Sequence, residues 1–247
     1  MLLAGLAATA LGACATNRTN AVASVDLNGM QADAGSMLGQ MEARYKAHPT
    51  DKATIIYYAA ALRAANQPDQ AISVLEAGQS IYKKDIDLKV AYAKALAAGG
   101  RFDQALNVIN DAIDPATPDW NALLVKGAIL DQSGQNDEAR QVYQQAQLSA
   151  PNEASLEANI GLSYAMTNDL DQAEQHLRRA TTLHGANSQV RQNLALVICL
   201  EGRFDECKAM FAKDLPPAQV EANMSYVRAL LTQQNRWDLI KGAKASG

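Results

Sequence analysis

Residues 120–153 read WNALLVKGAILDQSGQNDEARQVYQQAQLSAPNE, and this stretch decides the fold. Apolar residues recur at helical spacing before Gly134 and again after Asp137. Glycine tolerates the left-handed conformation that ends a helix, and a carboxylate favours the start of the next one. The stretch therefore predicts two antiparallel helices joined by a tight turn.

The same pattern recurs every 34 residues, which divides residues 52–221 into five units, 52–85, 86–119, 120–153, 154–187 and 188–221. One position is always aspartate, at Asp69, Asp103, Asp137, Asp171 and Asp205. Three residues before it stands a turn residue, at Asn66, Gly100, Gly134, Asn168 and Gly202. Each unit is preceded by a residue suited to cap or complement a helix start, at Asp51, Asp85, Asp119, Glu153 and Asn187.

Small residues recur in both helices of each unit. The first helices carry them at Ala59, Ala93, Gly127, Gly161 and Ala195, and the second helices at Ala71, Ala105, Ala139, Ala173 and Cys207. Small residues facing each other let two helices approach closely. A single pair cannot bury its apolar face, so we expect the five pairs to stack around one continuous core.

These columns resemble the tetratricopeptide repeat (TPR), most clearly at Gly127, Ala139, Tyr143 and Pro151 of the third unit. The resemblance implies an all-α TPR α-solenoid, a right-handed superhelix of antiparallel helix pairs that binds other proteins. Three units have a charged residue where the repeat usually has an aromatic one, and we expect this to loosen them, at Lys89, Glu157 and Arg191.

The stack needs an apolar cover at each end. Residues 34–51 predict an N-terminal capping helix that carries Met37, Leu38, Met41 and Tyr45. After Pro216-Pro217, residues 218–234 predict another first helix, and residues 222–247 predict a partial sixth repeat and a cap, with a short final helix that starts near Trp237.

The N-terminus predicts export. Residues 1–13 form an uncharged apolar run of signal-peptide length, although only Met1 precedes it where Lys or Arg is usual. The run ends in Leu11-Gly12-Ala13-Cys14, which resembles a bacterial lipobox and implies lipidation of Cys14. Residues 14–33 then predict a flexible tether. Ala15 after the cysteine implies, by the same resemblance, an outer-membrane lipoprotein that faces the periplasm.

A partner is expected on the concave face, which the first helices line in a TPR stack. We expect exposed polar side chains there to form a partner-binding groove, at Arg63, Lys94, Asn121, Asp131, Asn159, Gln192 and Asn193. The basic carboxylate clamp of chaperone-binding TPR proteins is absent, since the corresponding positions hold Ile56, Ala60, Ala64, Val90, Lys94 and Ala98.

Two cysteines of the fifth unit predict one of two arrangements. Cys199 and Cys207 lie on opposite helices at similar height above the turn, so they can form a disulfide in an oxidising compartment. The alternative is that both are small apolar residues that fill the core.

Composition excludes several functional classes. Net charge is −4, and no basic patch points to nucleic acid. Charged residues make up 19% of the chain, which leaves the lipid anchor as the expected membrane contact. The sequence has no metal-ligand cluster, phosphate loop or nucleophile–base set. We therefore expect no enzyme, no cofactor and no small-molecule substrate.

The C-terminal half is similar to a narrower family, the TadD-type TPR lipoproteins of the Tad (Flp pilus) apparatus. The residues that carry this similarity are Arg191 to Val197, Gly202-Arg203-Phe204, Asp214-Leu215-Pro216-Pro217, Asn223 to Tyr226, and Arg228. The resemblance implies a factor in pilus assembly and secretion, with the secretin or another pilus component as partner. A pilotin-like factor of type IV pili and a general envelope-assembly TPR lipoprotein are the alternatives.

Overall fold

The computed structural model describes the backbone of residues 30–245 and the side chains of residues 37–232. Cys14, the predicted signal peptide and most of the predicted tether lie outside this part. Within it the chain forms twelve helices and no strand beyond one isolated bridge. They are α1 Met30–Ala47, α2 Lys52–Ala64, α3 Pro68–Ile81, α4 Ile86–Ala98, α5 Phe102–Ala112, α6 Trp120–Gln132, α7 Asn136–Ser149, α8 Ala154–Met166, α9 Leu170–Ala180, α10 Ser188–Leu200, α11 Phe204–Phe211 and α12 Pro217–Ala245.

The helices α2 to α11 follow the 34-residue period without a slip. The five first helices are α2, α4, α6, α8 and α10, and each begins at the first residue of a predicted unit. The second helices also begin 34 residues apart, but their lengths vary, and α11 has only 8 residues. The sequence period thus sets where each helix begins, while the second helices end at different points.

Each turn between paired helices closes in the same way. Its central residue has a positive φ in all five units, at Asn66 (57°), Gly100 (72°), Gly134 (84°), Asn168 (63°) and Gly202 (84°). The next backbone N–H donates to a carbonyl five residues back, as from Gln135 to Leu130 at 2.9 Å. This bond satisfies a carbonyl at the end of the first helix and fixes the reversal of the chain.

Capping differs between the two helix types. Four first helices begin with a side-chain cap as predicted, for example Asp85 accepting from the Leu88 N–H at 2.9 Å. Glu153 instead lies beside His184, with 3.3 Å between Oε1 and Nδ1. The repeated aspartates lie inside the first turn of the second helices, where they face the positive helix end without capping it.

The small residues produce a close contact within each pair. Ala71, Ala105, Ala139, Ala173 and Cys207 are fully buried. A Cβ added to Gly161 would lie 2.8 Å from Leu177 Cγ and 3.0 Å from the Ala173 carbonyl oxygen. At Gly127 the space is filled by the ring of Tyr143, which such a Cβ would overlap. Neighbouring atoms therefore leave no room for a side chain at either glycine.

The expected continuous core is present, because its three clusters share half-buried residues, Leu106 and Ile113 between the first and second and Tyr164 between the second and third. Its buried residues form three adjoining clusters, within residues 55–129, 123–160 and 158–227. Buried polar side chains lie where the second and third clusters meet, including Asp131, Glu157 and Ser163. They separate the apolar groups because each needs hydrogen-bond partners in the interior.

The charged residues at position four all have polar partners, and their loosening effect on the units stays a prediction. Each pairs with a residue of the second helix in its own unit or of the segment directly after it. Lys89 Nζ lies 2.5 Å from Asp111 Oδ2, and Arg191 donates to both carboxylate oxygens of Asp214 at 2.8 and 2.5 Å. Glu157 is fully buried, and its Oε1 lies 2.9 Å from His176 Nδ1. Polar pairs replace the aromatic contact at these positions.

The N-terminal helix starts earlier than predicted. α1 begins at Met30, inside the predicted tether. Leu38, Met41 and Tyr45 pack on the first cluster, and the Tyr45 ring stacks on Tyr58 with 5.0 Å between centroids. Met37 remains 41% exposed, so it is not part of the cap.

The C-terminus also differs from the prediction. α12 is one helix from Pro217 to Ala245, so the expected break before a short final helix near Trp237 was wrong. It starts one residue before the first helix predicted at 218–234, because Pro217 is suited to the first turn of a helix, and no proline follows to end it. Val220, Met224 and Val227 are buried against the last pair.

The two cysteines of the fifth unit are joined by a disulfide. Their Cα atoms lie 5.3 Å apart, and both side chains are fully buried. The Met224 sulfur lies 3.8 Å from Cys199 Sγ and 3.7 Å from Cys207 Sγ. The bond thus links α10 to the short α11 at the place where α12 packs on both.

Substituting Gly161 tests the close contact. We expect Gly161→Leu to lower the free energy of unfolding by about 3 kcal/mol, because neither Leu177 nor the α9 backbone can yield enough space. Gly39→Ala is the matched control, since nothing lies within 4 Å of its added Cβ. It should raise stability by roughly 0.5–1 kcal/mol. Urea unfolding measures both, and an unchanged midpoint for Gly161→Leu would contradict the packing.

Reduction tests the disulfide. We expect a reductant to lower the free energy of unfolding by about 2–3 kcal/mol, because opening a loop this short frees the unfolded chain. The variant with Cys199→Ala and Cys207→Ala should no longer respond to the reductant. Denaturant unfolding with and without dithiothreitol measures the effect, and equal sensitivity of both proteins would count against the bond.

Candidate partner-binding groove

A groove runs across the first helices of the last three units. α6, α8 and α10 lie side by side, because each packs on the next first helix as well as on its own partner. Two positions of each helix, the ninth and the thirteenth of the unit, line this surface. They are Ala128 and Gln132 on α6, Leu162 and Met166 on α8, and Leu196 and Leu200 on α10. The concavity is shallow, with a cavity volume of about 20 Å³.

The floor of the groove contains a buried carboxylate. Asp131 is only 4% exposed and accepts three hydrogen bonds. The donors are Tyr143 Oη at 2.8 Å, Ser163 Oγ at 2.7 Å and Asn136 Nδ2 at 2.8 Å. They come from α7 and α8, so the network joins three helices beneath the groove.

Burial sets the protonation of this carboxyl. Burial raises the pKa of Asp131 above its ordinary value, and the hydrogen bonds from Ser163, Asn136 and Tyr143 oppose only part of that effect. The nearby Arg140 also lowers it slightly. The group serves as a structural acceptor, because its oxygens are occupied by protein donors.

Arg140 supports the groove from behind. Its guanidinium carbon lies 4.7 Å from the centroid of the Tyr164 ring. One of its nitrogens donates to the Ser163 carbonyl and hydroxyl oxygens at 3.3 and 3.2 Å, and another pairs with Asp137. α7 and α8 are therefore held together by polar contacts where the apolar core is interrupted.

Several residues predicted to be exposed in the groove are buried, so that expectation was wrong for them. The buried ones are Lys94, Asp131, Asn159 and Asn193, at 5%, 4%, 5% and 8% exposure. Asn159 Nδ2 donates to the Ser155 carbonyl of its own helix at 2.7 Å. The half-buried ones are Arg63, Asn121 and Gln192. Asn159 and Asn193 occupy position six and Asp131 position twelve, which turn inward in this stack, while Lys94 is a buried residue of position nine.

The apolar residues that line the groove were missed in the sequence. The predicted groove residues are polar, whereas Leu162, Met166, Leu196 and Leu200 are half-buried apolar groups on the accessible side. The signal was present in the sequence. The ninth position changes from Ala60 and Lys94 in the first two units to Leu162 and Leu196 in the last two, and the thirteenth changes from Ala64 and Ala98 to Met166 and Leu200. Comparing one position across all units would have revealed it.

Metal sites and membrane-spanning helices were searched for in the described residues, and neither was found. Among residues 37–232, no group of three His, Cys, Asp or Glu side chains is arranged to hold a metal ion. Nor does any helix within the described segments have the length and apolar character needed to cross a bilayer.

Fold and groove define an α-solenoid, a class of helical-repeat proteins that serve as protein–protein interaction scaffolds. Two models of the tetratricopeptide repeat match the chain, at residues 62–126 and 132–191. The chain is a tetratricopeptide-repeat protein. No curated protein matches its sequence significantly.

Solved structures share this fold. TTC0263, a thermophilic TPR protein of Thermus thermophilus, superposes with a TM-score of 0.63 at 20% identity, covering 72% of this chain and 100% of that one. A tetratricopeptide repeat protein from Parabacteroides merdae gives 0.57 at 16% identity, covering 88% of each chain. The Cut9–Hcn1 hetero-tetramer of APC/C gives 0.59 at 15% identity, covering 81% of this chain and 40% of that one.

Replacing Asp131 tests the raised pKa of its carboxyl group in the floor of the groove. Because burial raises its pKa in the folded protein, Asp131 favours folding fully below its unfolded pKa, and that contribution is lost as the pH rises through the folded pKa. We expect wild type to gain stability relative to Asp131→Asn as the pH falls from neutral towards about 4. Urea unfolding across that range measures this. Exposed Asp103→Asn should show no such trend, and a pH-independent gap for Asp131→Asn would contradict the raised pKa.

Proposed function

We propose that this protein is a lipid-anchored scaffold for Flp (Tad) pilus assembly and secretion at the outer membrane. It acts by binding protein partners, with the secretin or another pilus component as the expected one. The single observation that carries the binding role is the groove across α6, α8 and α10, whose apolar side chains lie on the accessible side of a rigid stack.

The rigidity of the stack supports the binding role. Stacked first helices, the Asp131 network and the Arg140 contacts hold the groove residues in place before a partner arrives. A preformed surface binds with a smaller entropic cost than one that must be ordered.

The anchor is proposed from the sequence. Leu11-Gly12-Ala13-Cys14 has the small residues and the thiol that lipobox processing needs. Each acyl methylene buried in the bilayer contributes about 0.8 kcal/mol, so several acyl chains give lasting attachment. Residues 15–29 would separate the anchor from α1.

The pilus role is proposed from the similarity within residues 191–228, and the structure adds a reason why these segments occur together. Arg191 of segment 191–197 pairs with Asp214 of segment 214–217. Gly202 of segment 202–204 supplies the turn between α10 and α11. The sulfur of Met224, which belongs to segment 223–226, lies against the disulfide. They form one structural unit, the last pair with the start of α12.

Deletion and complementation test the proposal. A strain lacking the protein should lose Flp pili and assembled secretin, and the wild-type gene should restore both. Cys14→Ser should appear in the soluble fraction and not in the membrane fraction, both with and without a high-salt wash. The same variant should restore pili poorly.

Three outcomes would contradict parts of this proposal. Membrane retention of Cys14→Ser would exclude the lipid anchor as the attachment. Normal Flp pili in the deletion strain, with a defect in type IV pili, would favour a pilotin-like factor. A defect limited to outer-membrane integrity would favour a general envelope-assembly role.

A further inference from the structure

The 34-residue period continues beyond the fifth unit into α12. Counting on from that unit, Ala222 is the first position of a sixth unit, so Met224 is its third position. The third position is buried in all five units, at Thr54, Leu88, Ala122, Leu156 and Val190. Met224 is buried as well, and it packs on the last pair together with Val227.

This position shows which side of α12 faces the stack. A Cβ added to Gly78 of α3 would lie 3.2 Å from Leu88 Cδ1, so the third position of a first helix faces the second helix of the unit before it. α12 therefore packs on the fifth unit in the way that each first helix packs on its preceding unit.

α12 has no second helix of its own among the described residues. The eighth position of a first helix faces that second helix, and it is buried in all five units, at Ala59, Ala93, Gly127, Gly161 and Ala195. Its equivalent in α12, Ala229, is exposed. Tyr226, the fifth position, is 49% exposed, although its equivalents are buried or half-buried. One face of α12 is thus open where the other first helices are covered.

α1 has the complementary deficiency. Counting back from α3, it takes the place of a second helix, and Met37 corresponds to Ala71 at the twentieth position. That position is fully buried in the five units, whereas Met37 is 41% exposed. Leu38, the equivalent of Ile72, packs on the first cluster. α1 therefore covers the first unit as a second helix would, but no first helix precedes it in the described part of the chain.

Each open face offers what the other lacks. α12 has the small eighth position and no second helix, and α1 has the register of a second helix and no first helix. A small eighth position accommodates a large side chain of the facing helix, as Gly127 does with Tyr143. Ala229 is also small, and methionine adapts its shape to the space available. A second copy of the chain therefore supplies the helix that α12 lacks, and the contact repeats the one inside each unit.

We propose that copies of this protein associate head to tail, with α1 of one copy taking the place of the missing second helix beside α12 of another. Burial of Met37 and Tyr226, which are large exposed apolar side chains, favours the contact. Two different surfaces meet, so a dimer still has one open α12 and one open α1. The inference goes beyond the proposed function, because it uses neither the groove nor the lipid anchor.

Disulfide crosslinking tests this arrangement, because the fifth unit shows which positions meet. Its positions twelve and twenty are Cys199 and Cys207, whose Cα atoms lie 5.3 Å apart in the disulfide. In the pair formed by α12 and the α1 of another copy, these positions are Gln233 and Met37. Full-length Met37→Cys and Gln233→Cys, each also carrying Cys14→Ser to remove the remaining thiol, are mixed in air with copper phenanthroline. We expect a disulfide-linked dimer on a non-reducing gel.

Each single variant is a control for the direction of the contact. Neither should form the dimer alone, because a head-to-tail contact brings residue 37 to residue 233 and not to residue 37 of another copy. Leu148→Cys mixed with Gln233→Cys is the matched control for random collision, since Leu148 is 86% exposed and belongs to α7. A dimer of Gln233→Cys alone would show symmetric packing of α12, and an equal yield with Leu148→Cys would show collision. Either result overturns the inference.

Charge substitution tests the same register without a covalent bond. In the fifth unit, Arg191 at position four pairs with Asp214 at position twenty-seven. In the pair formed between copies, these positions are Ser225 and Arg44, and both residues are exposed. We expect Ser225→Arg to weaken dimerisation about threefold by repulsion, and adding Arg44→Asp should restore the affinity. Sedimentation velocity over a range of concentrations measures the dissociation constant.

The remaining outcomes separate this inference from the proposed function. Melting curves by circular dichroism establish that each variant is folded before it is scored. The inference is overturned by a wild-type protein that stays monomeric and gives no crosslink, or by a dimer whose affinity Ser225→Arg leaves unchanged. Loss of pili on deletion, together with a monomeric protein, would keep the pilus role and exclude the head-to-tail contact.

Discussion

The whole structure depends on how closely the two helices of each pair approach. A Cβ at Gly161 would lie 3.0 Å from a main-chain oxygen of the facing helix. That approach requires a small residue at one position of each helix and a turn with a positive φ between them. Because these requirements recur every 34 residues, the pairs can stack with the same geometry five times.

The groove follows from this constraint. When the eighth position of each first helix faces its partner, the thirteenth position of every unit lies half-buried or exposed, and so does the ninth position of the first, fourth and fifth units. Those two positions are not part of the close contact within the pair, so their side chains can vary from alanine to leucine without disturbing it. The stack therefore separates residues that maintain the fold from residues that are free to vary on its surface.

Much of the fold could be predicted from the sequence. The period fixed the start of every paired helix, and the Asn and Gly residues marked each turn, since only left-handed backbone closes it there. The ends were harder, because α1 and α12 fall outside the period and only local signals set their bounds. The site was predicted on the right helices but with the wrong side chains. Exposure of Lys94, Asn159 and Asn193 depends on how neighbouring first helices pack, which no single unit encodes.

The ion pairs at position four bear on how a chain of similar units avoids misfolding. Any first helix could in principle pair with the second helix of another unit, since their small contacts are alike. Lys89, Glu157 and Arg191 each have an opposite charge on their own second helix or directly after it. If α8 met the second helix of a neighbour instead, Glu157 would face Asp111 or Asp214 and be repelled. The short turns already pair each first helix with the second helix of its own unit, and these charges favour the same pairing.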